Sequence, residues 1–335
     1  MAGLTAPGAS RCHGGPDARG ALRWDFSTNG NAAGPCPAVL ARLREADPSR
    51  YPDPAYQALR ERLAHWHGVA PQRVLLAASA SEFIQRITAV GAWLAPGPVG
   101  VPRSAYGDYA QAARAWRREL TGSDDARATL RWVCEPSSPL GQDAPPPDRP
   151  GDAATVLDAV YAPLRLQGQR SWPAAARAHV FELHSPNKAL GLTGVRGAYA
   201  IAPVGDSALP WIDALEAAAP SWPLGAHAVA MLTAWPDDEV QAWLAAQRET
   251  LRAWKTAQQA LLRGLDCEYR ESVAHFFCAR LPAGVQPAGL REHGVAVRDA
   301  TSFGLPGWVR LSVQPPEAQD ALRRAVLAAR RHRPP

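Results

Sequence analysis

Two short segments of this chain carry side chains whose types and spacing could do chemistry. In the first, an apolar run ends in Asp158, and Tyr161 follows three residues later. In the second, Lys188 lies in a stretch of turn-forming and small residues, and Arg196 follows eight residues after it. A lysine that loses its proton can attack a carbonyl carbon and form an imine, which a guanidinium cannot do because it stays charged. The pattern therefore indicates Lys188 as a candidate reactive amine.

The scarcity of lysine in the chain favours this interpretation. Lysine and arginine total 36 residues, yet only Lys188 and Lys255 are lysines. Such a skew is typical of a compositional bias that replaces exposed lysines by arginine at little cost, so a retained lysine is a candidate for a role that needs a neutral amine. Two simpler interpretations stay open from these residues alone. Lys188 can be an ordinary loop lysine, and Asp158 can cap a helix or pair with a nearby arginine.

The elements that must position these side chains are short apolar strands that alternate with helices. Helices are predicted over 55–67, 82–94 and 109–120, and strands over 73–77, 99–101, 130–134, 155–157, 180–183 and 198–201. This alternation predicts an α/β fold with a mostly parallel sheet that is covered on both faces. In such sheets the chemistry gathers at the carboxyl ends of the strands.

The remainder of the chain has a different pattern. Beyond about residue 207, helices are predicted over 211–217, 226–233, 238–262 and 316–330, and strands over 276–281, 295–298 and 309–313. This pattern predicts a separate α+β lobe, whereas the first 45 residues are rich in Gly, Pro and Ala and are predicted to be irregular. We therefore predict an N-terminal arm (1–45) that contributes to the small domain and active site, a large domain (46–235) and a C-terminal small domain (236–335).

The segments around Asp158 and Lys188 together resemble the fold-type I pyridoxal-phosphate enzymes, the superfamily of class I and II aminotransferases and their decarboxylase relatives. The shared pattern is D-x-x-Y at a strand end, then S-x-x-K, then a glycine-rich run that leads to an arginine. The resemblance implies a large domain built on a mixed, mostly parallel seven-stranded sheet, with pyridoxal 5'-phosphate bound to Lys188 as a Schiff base. It implies that Asp158 pairs with the pyridinium nitrogen, which makes the ring an electron sink, and that Tyr161 hydrogen-bonds the phenolic oxygen.

The same resemblance assigns side chains to the cofactor phosphate. Ser185 and Arg196 are expected to bind it, together with the turn of Ser79, Ala80 and Ser81. An S-x-x-E capping box begins at Ser79 and predicts a helix start, whose free N–H groups suit a phosphate.

Three further residues are assigned to the cofactor in the same way. Tyr106 lies in a segment similar to P-x-Y-x-x-Y and is expected to stack on the pyridine ring, although it can also be a core aromatic. Tyr51 is expected to reach the cofactor phosphate of a partner subunit, which implies a homodimer. One departure concerns E-P-S-S-P-L-G at 135–141, which replaces the family's N-P-N-N-P-T-G. Ser138 therefore stands where an asparagine usually contacts the phenolic oxygen, and its side chain has a shorter reach.

Four residues are candidates for binding the substrate. Arg310 is expected to hold a carboxylate through two parallel hydrogen bonds, and Arg298 on a similar strand to face a substrate phosphate. His13 and Asn29 belong to an arm, H-G-G at 13–15 and D-F-S-T-N at 25–29, that resembles the arm of threonine-phosphate decarboxylases. The resemblance implies that both residues lie at the phosphate end of the substrate. The simpler alternatives are exposed strand arginines and a disordered glycine-rich leader.

Three hypotheses about the reaction follow from the resemblance. The N-terminal arm is similar to that of threonine-phosphate decarboxylases of cobalamin biosynthesis, which implies decarboxylation of L-threonine O-3-phosphate to (R)-1-amino-2-propanol O-2-phosphate without a keto acid. The alternative is an aminotransferase that acts on a phosphorylated amine such as histidinol phosphate and needs 2-oxoglutarate. The second alternative is a degenerate, non-catalytic homologue, which the altered segment 135–141 would explain.

Composition excludes several other classes of protein. The net charge of +5 does not indicate nucleic-acid binding, because the arginines are dispersed among acidic residues with no basic run interleaved with aromatics. The five cysteines show no C-x-x-C spacing, so neither a metal site nor a disulfide framework is expected, and a reducing cytoplasm fits best. No apolar run is long enough for a membrane span, and no secretory signal is expected. We therefore predict a cytoplasmic enzyme that acts on a small phosphorylated amino acid or amine.

Overall fold

A seven-stranded sheet organises the larger part of the chain in the computed structural model, which describes residues 13–146 and 153–331. The strands within these residues are β1 (Trp24–Asp25), β2 (Val74–Ala77), β3 (Val99–Val101), β4 (Leu120–Gly122), β5 (Leu130–Cys134), β6 (Ala154–Asp158), β7 (Phe181–His184), β8 (Ala198–Ile201), β9 (Glu268–Tyr269), β10 (Phe276–Arg280), β11 (Val295–Ala296), β12 (Arg298–Asp299) and β13 (Val309–Ser312). The α-helices are α1 (Pro37–Glu45), α2 (Gln57–His67), α3 (Ala80–Leu94), α4 (Gly107–Ala115), α5 (Ala174–Arg177), α6 (Leu209–Ala217), α7 (Ala226–Ala234), α8 (Asp238–Gly264), α9 (Pro287–Glu292) and α10 (Pro316–Arg331).

The large sheet is mixed but mostly parallel. Its strand order is β2-β8-β7-β6-β5-β3-β4, and β8 runs antiparallel to both of its neighbours while the other strands are parallel to one another. The carboxyl ends of β2, β3, β5, β6 and β7 therefore meet at one edge, and β8 begins at that same edge. This confirms the α/β fold and brings the segments that follow these strands together.

Alternate residues of β2 enter two different cores, so the sheet is covered on both faces, as the period of a strand requires. Val74 and Leu76 pack in a core that also contains residues of α1, α2 and α7. Leu75 and Ala77 pack on the other face with residues of α3, α4 and α6. All four side chains are buried, which explains why the strand is continuously apolar rather than alternating.

Helix α3 begins directly after β2 because Ser79 caps it. The Ser79 hydroxyl accepts a hydrogen bond from the Glu82 N–H at 3.1 Å, as predicted. The Glu82 carboxylate, however, accepts from the N–H of Ala78 at 3.2 Å rather than from that of Ser79, and it pairs with Arg86 at 2.9 Å. The expected capping box is therefore only half formed, because Arg86 one turn later competes for the carboxylate.

The C-terminal part contains a four-stranded antiparallel sheet in the order β12-β13-β10-β9. Helices α8 and α10 pack against each other beside it. The N-terminal segment joins this part through β1, which pairs in parallel with β11. The segment before the large sheet is thereby tied to strands near the end of the chain.

Four sequence predictions about elements need correction. The arm is not irregular throughout, because Pro37 starts α1 and Val39 and Leu43 on that helix are buried. The helix predicted over 109–120 ends at Ala115, since Arg117 adopts a positive φ of 52° and turns the chain into β4. The helix predicted over 55–67 begins two residues later for a similar reason, a φ of 50° at Tyr56. The strand predicted over 295–298 is divided into β11 and β12, which pair with different sheets.

The proposed domain boundaries near residues 45 and 235 stay a prediction. Residues 1–12 of the predicted arm and 332–335 of the predicted small domain lie outside the described residues, as does most of the proline-rich stretch after residue 146. Within the described parts of the chain, none of the helices has the length and apolarity needed to cross a membrane.

Two partly buried histidines lie on the face of the sheet that α2 covers. The ring of His184 stacks on Tyr199 with centroids 4.9 Å apart, and His67 Nε2 lies 2.9 Å from the Tyr199 hydroxyl. Burial lowers the pKa of His67 to about 3 and that of His184 to about 4, although Glu182 opposes the shift at both. Both imidazoles are therefore neutral in the folded protein at neutral pH.

We expect these histidines to make the protein sensitive to acid. Because their folded pKa values lie below the ordinary value near 6.5, the unfolded chain binds more protons as the pH falls, and each histidine removes about 1.4 kcal/mol of stability per pH unit until its folded pKa is reached. His184→Phe, which keeps a ring against Tyr199, should reduce this pH dependence between pH 6 and pH 4.5. Urea unfolding at several pH values measures it, with His65→Gln on the exposed side of α2 as the control. An unchanged pH dependence in His184→Phe would contradict the account.

Candidate active site

Asp158 ends β6 at the carboxyl edge of the sheet, and its side chain is buried. Its Oδ2 accepts a hydrogen bond from the Tyr109 hydroxyl at 2.5 Å, and its Oδ1 accepts from the N–H of Val160 at 3.0 Å. Burial raises the pKa of this carboxyl, whereas the bond from Tyr109, the bond from Val160 and the charge of Lys188 lower it. The site thus contains a desolvated carboxylate whose hydrogen bonds come from neutral donors.

Lys188 lies in the turn that follows β7, in a loop held by its own backbone. Its carbonyl accepts hydrogen bonds from the N–H groups of Asn31 at 2.8 Å and Gly191 at 3.2 Å. Asn187, next to it and buried, donates to the Val195 carbonyl at 3.1 Å. The lysine side chain is consequently directed inwards, where its Nζ lies 5.4 Å from the centre of the Tyr161 ring.

The environment of Lys188 favours a neutral amine. Burial, together with the charges of Arg196 and Arg310, lowers its pKa to about 8, while Asp158 opposes the shift. A lysine with this pKa has a far larger neutral fraction at pH 7 than an exposed one. This is the property that attack on an aldehyde requires.

The second lysine of the chain has a similar pKa but different surroundings. Burial lowers the pKa of Lys255 to about 8, yet its Nζ donates to the backbone carbonyls of Ser272 and Ala274. These hydrogen bonds fix the loop before β10 and hold the Lys255 amine against two backbone carbonyls. The environment therefore distinguishes Lys188 from Lys255, whereas the pKa alone does not.

Tyr161 forms one wall of the site together with the arm. Its hydroxyl accepts a hydrogen bond from Asn29 Nδ2 at 3.4 Å, and its ring packs edge-on against Phe276. His275 donates through Nε2 to the Asn29 carbonyl at 3.1 Å. Burial lowers the pKa of His275 to about 3, so the imidazole is neutral, and its Nδ1 is an acceptor without a partner in the described part of the chain. Asn29 is therefore held from two sides beside the lysine.

The residues assigned to a phosphate lie around the start of α3. The Ser81 hydroxyl is 3.2 Å from the Tyr106 hydroxyl, which links the helix start to the predicted stacking ring. Arg196 is exposed just before β8, close enough to Lys188 to affect its pKa. The Ser185 hydroxyl donates to Asn187 Oδ1 at 3.1 Å, so a contact with a phosphate would require it to rotate.

Arg310 is buried on β13 and donates to two parts of the site. Its Nη1 lies 3.3 Å from the Ser138 hydroxyl and its Nη2 3.0 Å from the Ser27 carbonyl. Arg298 is its partner residue on the paired strand β12, and both guanidinium groups lie over the ring of Phe303, at 4.7 Å for Arg298 and 5.5 Å for Arg310. Arg298 also donates to the backbone of its own strand and to the Ser302 hydroxyl. Two buried cations therefore stand side by side next to Ser138.

The altered segment 135–141 is firmly anchored although it departs from the family pattern. Glu135 is buried and accepts hydrogen bonds from Arg165 at 2.7 Å and from the N–H and hydroxyl of Ser171 at 2.8 and 2.5 Å. Ser138, buried between cis peptide bonds at Pro136 and Pro139, is directed towards Arg310. The serine in place of asparagine therefore contacts the arginine.

The N-terminal arm packs against the rest of the site. The Gly15 N–H donates to the Ser27 hydroxyl at 2.8 Å, and a Cβ on Gly14 would lie only 2.0 Å from the Ser27 carbonyl oxygen. Only glycine permits this approach. The same segment places His13 near the start of α4. The centroid of its ring lies 5.9 Å from that of Tyr106, and its Nε2 lies 3.9 Å from Asp108 Oδ1.

These residues fit pyridoxal phosphate. Three buried polar atoms around the site have no partner among the described residues: Asn29 Oδ1, His275 Nδ1 and Arg310 Nε. Unpaired buried polar atoms are costly and call for a ligand that supplies the missing hydrogen bonds. Asp158 can accept from a protonated ring nitrogen, Lys188 can bind an aldehyde, and the start of α3 with Arg196 can hold a phosphate. The roles of individual residues stay predictions.

Sequence reasoning missed some residues of the site and assigned one that lies apart from the described contacts. Tyr109 is the second tyrosine of the segment in which only Tyr106 was assigned, whereas His275 had no signal in its local sequence. Tyr51 is 79% exposed and stacks on Trp222 with centroids 4.5 Å apart. Its contact with a partner subunit stays a prediction.

Comparison with known proteins places these observations in a family. The model of the family described as aminotransferase class I and II matches residues 24–326. A histidinol-phosphate aminotransferase of Haloferax volcanii is 29% identical over 336 residues, covering 90% of this chain and 89% of that protein.

Solved structures show the same fold. The histidinol-phosphate aminotransferase from Sinorhizobium meliloti in complex with pyridoxal-5'-phosphate superposes with a TM-score of 0.74 at 19% identity, covering 91% of this chain and 90% of that one. The L-threonine-O-3-phosphate decarboxylase from Porphyromonas gingivalis gives a TM-score of 0.74 at 21% identity, covering 90% of this chain and 98% of that one. The family match spans most of the chain, and the fold agrees with it. The chain therefore belongs to the class I and II aminotransferase family, whose members depend on pyridoxal phosphate.

Proposed function

We propose that this protein decarboxylates a phosphorylated amino acid, L-threonine O-3-phosphate, to (R)-1-amino-2-propanol O-2-phosphate, with pyridoxal phosphate held by Lys188. The observation that carries the proposal is the arm, in which Gly14 lies against the Ser27 carbonyl and His13 lies beside Tyr106. The H-G-G and D-F-S-T-N segments are similar to the arm of decarboxylases of this kind. Their packing against each other supports a shared role at the substrate.

The charges of the site suit a substrate with two anionic groups. Arg310 and Arg298 are both buried on paired strands, and burial lowers the pKa of Arg310 because its charge is costly to desolvate. A carboxylate at Arg310 would offset that cost through charge-assisted hydrogen bonds. The phosphate of the same small substrate would then be held by Arg298, which lies beside Arg310, and by the arm.

Each residue of the site would then have its own role in the reaction. Pyridoxal phosphate, when bound, supplies an electron sink for the electron pair released at the substrate α-carbon. Asp158 would keep the ring nitrogen protonated, and Tyr161 would hydrogen-bond the phenolic oxygen of the ring. Asn29, which donates to the Tyr161 hydroxyl at 3.4 Å, would lie at the phosphate end of the substrate. Lys188, whose Nζ lies 5.4 Å from the centre of the Tyr161 ring, would deliver a proton to the α-carbon after the carboxylate has left as carbon dioxide.

A second candidate function is an aminotransferase that acts on a phosphorylated amine such as histidinol phosphate. It is favoured by the name of curated relatives that are 27–29% identical over most of this chain. In that reaction Lys188 would move the proton of the α-carbon, and no carbon dioxide would leave. The same cofactor site serves both reactions, so the substrate and its anchoring decide between them.

The two functions predict different products. With threonine phosphate, the purified protein loaded with pyridoxal phosphate should release carbon dioxide and form aminopropanol phosphate without any keto acid. Histidinol phosphate with 2-oxoglutarate should give little glutamate in a parallel assay. If glutamate forms readily and carbon dioxide does not, the aminotransferase assignment replaces the proposal. If neither substrate reacts although cofactor is bound, both assignments fail.

The role of the arm can be tested separately from that of the cofactor. In Gly14→Ala the new Cβ must move away from the Ser27 carbonyl, which displaces His13. We expect kcat/KM for threonine phosphate to fall about tenfold, as expected for the loss of one contact to an anion, while cofactor affinity stays unchanged. Gly264→Ala at the end of α8, where a Cβ meets nothing within 4 Å, is the control. A folded Gly14→Ala protein with unaltered kcat/KM would show that the arm has no role in substrate binding.

A further inference from the structure

Tyr109 is a buried residue that contacts Asp158 directly. It is fully buried on α4, and its ring stacks on Trp132 with centroids 4.4 Å apart and planes inclined by 9°. Its hydroxyl donates to Asp158 Oδ2 at 2.5 Å. A distance this short is typical of a hydrogen bond from a hydroxyl to a charged oxygen.

Two elements fix the phenol in this position. Trp132 belongs to β5, and Cys134 at the end of that strand is in register with Asp158. The ring of Tyr106, at the start of α4, packs edge-on against Tyr109 at 5.8 Å. Strand β5 and the start of α4 therefore hold the Tyr109 ring so that its hydroxyl points to the carboxylate.

The donor in this hydrogen bond is the phenol. Burial raises the pKa of Tyr109 well above its ordinary value, and the nearby charge of Asp158 raises it further, so the hydroxyl keeps its proton. In return, the hydrogen bond lowers the pKa of Asp158 against the effect of burial. Tyr109 therefore stabilises the ionised form of a carboxyl group that burial would otherwise protonate.

We propose that Tyr109 is a positioning residue that keeps Asp158 ionised and oriented, so that the ring nitrogen of the cofactor, and not the carboxyl group, holds the shared proton. The proposal rests on the assignment of Asp158 and Lys188 to pyridoxal phosphate. A carboxylate has room for several donors, so the bonds from Tyr109 and Val160 leave space for the ring N–H. Without Tyr109, the ion pair of pyridinium and carboxylate is destabilised relative to the neutral pair of pyridine and carboxylic acid. The ring then withdraws electrons less effectively.

The experiment compares the protonation of the ring nitrogen in the holoenzyme and its Tyr109→Phe variant. Pyridoxal phosphate labelled with 15N in the ring reports this state directly, because the nitrogen resonance of a pyridinium differs from that of a neutral pyridine. We expect the pyridinium position in the unaltered protein, a shift towards the neutral position in Tyr109→Phe, and about tenfold weaker cofactor binding, the size expected when a hydrogen bond to a charged group is lost. A folded Tyr109→Phe protein with an unchanged resonance would overturn the proposal.

Two controls separate the hydrogen bond from packing. Tyr56→Phe removes another buried hydroxyl, which donates to the Leu224 carbonyl at 2.7 Å in the other core, and should leave the resonance unchanged. Trp132→Phe loosens the stack but keeps the Tyr109 hydroxyl, and should also retain the pyridinium position. A shift in Trp132→Phe as large as that in Tyr109→Phe would assign the effect to packing.

A further replacement keeps the test valid if Tyr109→Phe does not fold. A para-aminophenylalanine placed at position 109 by nonsense suppression preserves the ring but replaces the hydroxyl by an amine, which is a weaker hydrogen-bond donor. It should move the resonance towards the neutral pyridine, and an unchanged resonance would count against the proposal. If the unaltered protein binds no pyridoxal phosphate at Lys188, the assignment of the cofactor fails instead, which is a different result.

Discussion

The arrangement of the site depends on one buried carboxylate. Asp158 ends a central strand, has lost most of its water, and receives hydrogen bonds from a phenol and a backbone N–H. A charge in such a place is costly unless a cation completes its surroundings. Lys188 supplies part of that compensation, and a protonated ring nitrogen would supply the rest. The low pKa of Lys188 and the raised pKa of Asp158 share one cause, which is burial of both groups in the same small space.

Much of this arrangement could be predicted because its parts are local. A strand that ends in Asp158, a turn that carries Lys188 and a helix that begins at Ser79 each leave a pattern within a few residues. Parallel strands then bring these ends to one edge without further information. The antiparallel strand β8 adds Arg196 to that edge because it begins where its neighbours end.

The parts that could not be predicted arise from contacts between distant segments. Tyr109 approaches Asp158 across 49 residues, and His275 approaches Asn29 across 246. The Ser138 hydroxyl accepts a hydrogen bond from Arg310, 172 residues away in the sequence, while its contact with the cofactor stays a prediction. No local pattern shows these pairings. The choice between decarboxylation and transamination cannot be predicted from local patterns either, because it depends on how the substrate is held, a role that we propose for the arm and the two buried arginines.

The central claim is that Lys188 is the lysine that holds the cofactor, and the chain offers a simple way to test it. Since Lys188 and Lys255 are its only lysines, borohydride reduction of the protein with pyridoxal phosphate, followed by proteolysis and mass spectrometry, gives an unambiguous assignment. The account predicts one pyridoxyl group per chain, on the peptide that contains Lys188, and none on Lys255, whose amine is bound to two backbone carbonyls. A label on Lys255, or an unlabelled chain, would contradict it.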